Sequence, residues 1–192
     1  MQAVAIDFET ADFHRQSACS VALVRFDSDS ILEKYYTLLK PPSFCTFSPF
    51  NIQIHGITPS MVADSPCFSQ VWPEMQDFIG ADVLCAHNAP FDMGILESLI
   101  ELDGFMCPPL NYLCTLKMAR RLWKGQRSYA LTSLSESLGL EYQAHYALDD
   151  AVNCARLFQL MTKGHMNNDL LELRKFLITR GVEIGRLGYR SR

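Results

Sequence analysis

Apolar and polar positions fall into blocks that read as strands leading into helices. Residues Ala3–Ile6 form an unbroken apolar run that stops at Asp7 and Glu9. A short, continuously apolar run predicts a strand covered on both faces. After the polar, turn-like residues 11–16 come a second apolar run, Ala18–Phe26, the turn Asp27-Ser28-Asp29-Ser30, and the β-rich segment Ile31–Leu39. This order predicts a hairpin continuing from the first strand. Residues 40–58 carry Pro41, Pro42 and Pro49 with Phe44, Phe47 and Phe50 between them, and they read as a long functional loop. Thr58 and Pro59 predict the N-cap and first position of a short helix that follows it.

Helical spacing begins with Phe68, Val71, Trp72, Met75, Phe78 and Ile79. Val83–Ala86 is a second short buried strand, and Pro90 opens a helix carrying Ile95, Leu96, Leu99 and Leu102 to Gly104. Residues 111–114 predict an edge strand, 115–122 a helix, 124–128 a mobile polar loop, and 131–138 a helix stopped by Gly139. The last helix starts near Ala147, with Ala151, Cys154, Ala155, Phe158 and Met161 on one face. Strands feeding helices after an opening hairpin predict an α/β fold with a mixed sheet.

At 192 residues the chain is sized for a single domain with a substantial core, and no apolar run is long enough to span a bilayer. A basic n-region at the start is missing, so a soluble, cytoplasmic protein without a secretory signal is expected. The seven cysteines are scattered, with no CxxC pair, and read as reduced buried side chains rather than a zinc knuckle. A net charge of −4 argues against coating nucleic acid by bulk electrostatics. The charge is uneven: residues 163–192 sum to +4, leaving −8 for the rest. That basic end reads as a solvated, frayed tail, with contact to a phosphate backbone as the alternative.

Four acids stand apart from charged, solvated faces: Asp7, Glu9, Asp92 and Asp150. Strand side chains alternate, so Asp7 and Glu9 project to one face. Two acids together at a buried strand end repel and are costly to desolvate, unless cations sit between them. Asp92 falls in the first turn of a helix leaving a strand, and Asp150 on the edge of the last helix's apolar stripe. Carboxylate oxygens without thiolate suit hard divalent ions. Histidine is suited to general-base work near neutral pH, and His145 stands just before the last helix. Taken singly each has a plain structural explanation: Asp92, Asp149 and Asp150 as acids complementing a helix dipole, His145 as a surface group, His87 and Asn88 as partners for backbone at a strand end. Their joint presence in this order points to a site.

Asp7-Phe8-Glu9-Thr10, His87-Asn88-Ala89-Pro90-Phe91-Asp92 and His145-Tyr146-Ala147-Leu148-Asp149-Asp150 resemble the three motifs of the DEDD-type 3′→5′ exonucleases. They match the histidine-containing branch, DEDDh, which includes the epsilon subunit of bacterial DNA polymerase III, ribonuclease T and oligoribonuclease. The resemblance covers about residues 2–160. It implies a ribonuclease H-like fold with a five-stranded mixed β-sheet flanked by α-helices. The exonuclease domain would occupy residues 1–162, with 163–192 a C-terminal extension packing on or trailing from it.

The same resemblance implies two ions, Mg²⁺ or Mn²⁺, held by Asp7, Glu9, Asp92 and Asp150, with His145 as general base and nucleoside 5′-monophosphates as products. It further implies Thr10, Ile57, Phe13, Phe91 and Asn88 as substrate-binding residues, and a nucleic-acid 3′ end, single-stranded, as substrate. A polymerase or a second copy of the chain is the expected protein partner. One position departs from the pattern: many relatives follow the first motif with Thr-Gly, where this chain has Ala11 and Asp12 after Thr10. The alternative is a non-catalytic nucleic-acid-binding or polymerase-associated module of the same fold.

Overall fold

The structure, a computed structural model, describes residues 1–106, 109–141, 143–165 and 170–188. Cys107, Asp169, Arg190 and Arg192, counted above, lie outside the described residues. The strands are β1 (Ala3–Thr10), β2 (Ala18–Phe26), β3 (Ile31–Leu38), β4 (Val83–Ala86), β5 (Leu110–Cys114) and β6 (Gly185–Leu187). The helices are α1 (Pro49–His55), α2 (Phe68–Ile79), α3 (Pro90–Leu102), α4 (Thr115–Leu122), α5 (Leu131–Ser137), α6 (Ala147–Met161) and α7 (Leu170–Ile178). They build a mixed sheet in the order β3-β2-β1-β4-β5-β6. β1 pairs antiparallel with β2 and parallel with β4, and β4 is parallel to β5. The carboxyl ends of β1, β4 and β5 therefore open on one edge, where α/β sheets place their sites.

Side-chain alternation along β1 divides the core. Val4, Ile6 and Phe8 face α2 and α3, packing with Trp72, Met75, Leu96 and Ile100. Ala3 and Ala5 face the other way, with Ala22 and Cys85, onto Ala147, Ala151, Cys154, Ala155 and Phe158 of α6. Small residues on both sides let α6 lie close against β1, and this proximity brings the start of the helix to the end of the strand. Cys85 and Cys154 approach at 3.9 Å, and the cysteines among the described residues are free thiols. No described helix is long and apolar enough to cross a membrane.

Three expectations change. The sheet has six strands, not five, and Asn111–Cys114 lies inside it, because β6 pairs antiparallel with β5. Glycine ordinarily weakens a strand, but at Gly185 any Cβ would run into the Tyr112 ring, so the bare backbone is what permits this pairing. Second, the described residues 170–188 are not a frayed end: Leu173, Leu177 and Val182 are buried in the α6 layer and Leu187 in the opposite one. Third, the helix before α2 runs from Pro49 to His55, with Pro49 at its start and Gly56 in the left-handed conformation at its end (φ 76°). Thr58 starts only a turn, its carbonyl accepting Met61 N–H at 3.0 Å. The proline that opens a helix was Pro49 rather than Pro59; the local signal is the same and the packing decides between them.

If the C-terminal segment belongs to the core, Leu177→Ala lowers stability by about 2–5 kcal/mol in urea unfolding, whereas Leu171→Ala, on the exposed face of α7, changes it by less than about 0.5 kcal/mol.

Candidate active site

Asp7 and Glu9 continue the alternation of Ala3 and Ala5 and so face α6. Both are half-buried. Asp92 enters from the first turn of α3 and is 1 % exposed; its Oδ1 accepts the Phe8 backbone N–H at 3.2 Å, between the two acids of β1. Asp150 comes from the first turn of α6 and is buried. Its neighbour Asp149 turns outward and accepts Gln143 N–H at 3.2 Å. His145 is exposed and sits at φ 62°, a left-handed conformation uncommon for a residue with a Cβ. One ligand atom from each of Glu9, His145 and Asp150 lies within 4.8 Å of the others.

These acids disturb one another. Burial raises the Asp7 pKa well above its ordinary value, and Asp92, Asp150 and Glu9 push it further. Burial, then Asp150 and Asp92, raise Glu9 to about 8. Burial also raises Asp92 to about 8, against the pull of the Phe8 N–H and with added repulsion from Asp150. Cys154 is nearby, but burial and Cys85 keep it a thiol. The donor set is therefore carboxylate oxygen without thiolate, crowded enough to need cationic charge, and it fits hard divalent ions.

Beside the acids lies a cleft of about 360 Å³ whose lining includes Thr10, Phe13, Phe50, Asn51, His55 and Phe91. Phe13 is 81 % exposed, and Phe50 and Phe91 are also exposed. Thr10, Phe13 and Phe91 thus share this cleft with Glu9 and His145. Ile57 does not line it: at 5 % exposure it packs beneath, with Ala11, Cys19 and Val62. Asn88 does not line it either; it is an exposed turn residue at φ 74° whose carbonyl accepts Phe91 N–H. His87 is tied into the scaffold, bonding Thr115 Oγ1 at 3.0 Å and the Tyr129 carbonyl at 2.9 Å.

Asn51 escaped the sequence reading, and the bonds made by His55 and Asp12 could not be read from it. Asn51 Nδ2 donates to the Thr10 carbonyl at 2.8 Å. His55 Nδ1 accepts Ile57 N–H at 3.0 Å, so Nε2 carries the proton and donates to the same Thr10 carbonyl at 3.1 Å. Burial, with His145 nearby, lowers the His55 pKa against the pull of that carbonyl. Asp12 is buried. Its carboxylate accepts the N–H groups of His14 and Thr46, both at 2.8 Å, stapling the β1–β2 connection to the segment before α1. Burial opposes ionisation, yet the Thr46 and His14 bonds prevail and hold Asp12 at about 2. The signal was available only as an acid in a polar turn, and its partner is 34 residues away.

The family model described as Exonuclease matches residues 4–158. The PolC-type DNA polymerase III of Thermotoga petrophila is 34% identical over 158 residues, 81% of this chain but 11% of that protein. The DNA polymerase III epsilon subunit of Aquifex aeolicus is 32% identical over 162 residues, 81% of this chain and 77% of that one. The chain thus spans about a tenth of the PolC-type relatives it matches. Among solved structures, exonuclease X in complex with 5′-overhanging duplex DNA aligns with TM-score 0.68 at 30% identity, covering 83% of this chain and 90% of that one. The nuclease domain of the DEDDh member 3′hExo bound to rAMP shares the fold, with TM-score 0.75 at 23% identity over 86% of this chain and 93% of that one.

The raised Glu9 pKa has a definite sign. Its folded value, about 8, lies above the unfolded 4.5, so its contribution to stability is full below the unfolded value and is lost as pH rises through about 8. In metal-free protein, Glu9→Gln therefore gains Tm relative to wild type between about pH 5 and about pH 9. Saturating Mn²⁺ at the upper pH raises the wild-type Tm by roughly 5–10 °C, and that of the variant by less. Asp12 has the opposite sign: Asp12→Ala costs about 1–3 kcal/mol at neutral pH, and the difference fades as pH falls through about 2.

Proposed function

This chain belongs to the RNase_T exonuclease family, and from that premise we propose that it is a divalent-metal-dependent 3′→5′ exonuclease acting on a single-stranded nucleic-acid 3′ end and releasing nucleoside 5′-monophosphates. The observation that carries this reading is the meeting of Asp7, Glu9, Asp92 and Asp150, from three separate elements, beside His145 and an aromatic cleft. The four carboxylates are the groups that would hold two ions, Mg²⁺ or Mn²⁺. When bound, such a pair stabilises both the attacking and the leaving oxygen of an in-line displacement at phosphorus.

The chain's own residues account for the remaining work. His145, exposed at the mouth and within reach of Glu9 and Asp150, takes the proton from the attacking water. Its left-handed backbone is held where the chain turns into α6, which sets the ring toward the acids. Phe13 and Phe91 present apolar faces on which the terminal base stacks, a contact that does not depend on base identity. Asn51 and His55 hold the Thr10 carbonyl, so the strand end beneath the terminal nucleotide is stiff. The scattered free thiols suit a reducing cytoplasm. The likeness to an epsilon subunit makes a replicative polymerase the first protein partner to test, and a second copy of this chain the next.

The test is digestion of a 5′-labelled single strand, DNA and RNA in parallel, with Mg²⁺ or Mn²⁺. A ladder shortening from the 3′ end is expected. Asp7→Ala and Asp150→Ala abolish most turnover, and His145→Ala loses roughly 10²–10⁴ in kcat while still binding the strand. A strand that is bound but never shortened would establish the non-catalytic module instead.

A further inference from the structure

The sequence holds no acid between Asp103 and Glu136, yet carries Lys117, Arg120, Arg121, Lys124 and Arg127 there, in a chain of net charge −4. All five are exposed, on α4 and the connection that follows it. None forms an ion pair with a described residue. Lys117, Arg120 and Arg121 line a groove of about 490 Å³ whose far lip is Gly181, Val182 and Glu183.

This surface is anchored to the active edge of the sheet. α4 starts directly after β5, and Thr115 bonds His87, which leads toward Asp92. Tyr129 returns the connection to the same histidine, bonding its Nε2 at 2.9 Å. Burial lowers the His87 pKa against the pull of the Tyr129 carbonyl, and the charge of Arg120 lowers it further. β5 is two strands from β1, about 10 Å across the sheet at roughly 4.8 Å per step. The aromatic cleft is walled chiefly by the β1–β2 connection and α1, and β2 lies on the opposite side of β1 from β5. The acids therefore separate an aromatic cleft from a cationic face.

We propose that the face formed by Lys117, Arg120, Arg121, Lys124 and Arg127 binds backbone phosphates of the same strand upstream of its 3′ end, since α4 leaves β5 two strands across the sheet from the acids of β1. This rests on the exonuclease reading and adds a direction: base in the cleft, scissile phosphate at the acids, upstream backbone along α4. Uncompensated cations matched to a polyanion act through counterion release, so the contact is independent of sequence and dependent on salt.

The experiment compares the full chain with Lys117→Gln/Arg121→Gln and with a control, Lys34→Gln/Lys163→Gln, which removes the same charge from exposed sites elsewhere. Binding of a fluorescent single strand of about 20 nucleotides is read by anisotropy in EDTA across a salt series, and turnover of that strand and of a dinucleotide is read with Mn²⁺. The patch variant should lose roughly ten- to a hundredfold in affinity at about 50 mM salt and lower the log–log salt slope by about 1.4, at about 0.7 per cation. The ratio of kcat/KM for the long strand to that for the dinucleotide should fall with it, while the control keeps both close to wild type. An equal loss in the control, or an unchanged slope in the patch variant, overturns the proposal. A patch-dependent slope in a protein that cleaves neither substrate supports the surface and overturns the exonuclease reading, so the two failures are distinguishable.

Discussion

Everything at the active edge depends on forcing negative charges together. Asp7, Glu9, Asp92 and Asp150 meet in a partly dry place where each resists ionisation because the others are there. Nothing in their own chemistry favours this meeting; apolar packing elsewhere imposes it. Alanines on β1 and α6 allow close approach, and burial of Phe158, Leu157 and their neighbours supplies the free energy that keeps α6 seated. The site is thus a local electrostatic cost carried by the core, and a divalent ion is the natural relief.

Around that centre the molecule is asymmetric. On one side are exposed phenylalanines above a floor of hydrogen bonds that converge on the Thr10 carbonyl. On the other is a face whose cations form no ion pair with a described residue. A polymer with stacking bases and a charged backbone matches both features, and under the proposed reading the order of the two surfaces across the acids would give it a polarity. Asp12 contributes to that floor from the turn after β1: its carboxylate staples the loop to the segment before α1.

The strand-to-helix rhythm, both halves of the opening hairpin and the separation of helix faces were legible in the sequence, because these follow from period-2 and period-3.6 patterns of burial. So was the grouping of Asp7 with Glu9, since alternation on a strand is a local rule. The sixth strand was not legible: three residues with a glycine carry no period, and their partner β5 lies over 70 residues away. The choice between Pro49 and Pro59 as a helix start was similarly decided by packing.

By itself the sequence determined which donors are on offer, four acids and a histidine whose types and spacings point to hard oxygen and one imidazole. Only the tertiary structure decided which neighbours complete the site. It put Ile57 beneath the cleft and His55 on its wall, and set the cations of α4 beside the edge where the acids gather. The physical reason is that residue type and local period are properties of a short stretch of chain, whereas facing and proximity arise from contacts between stretches tens of residues apart, which no local pattern encodes.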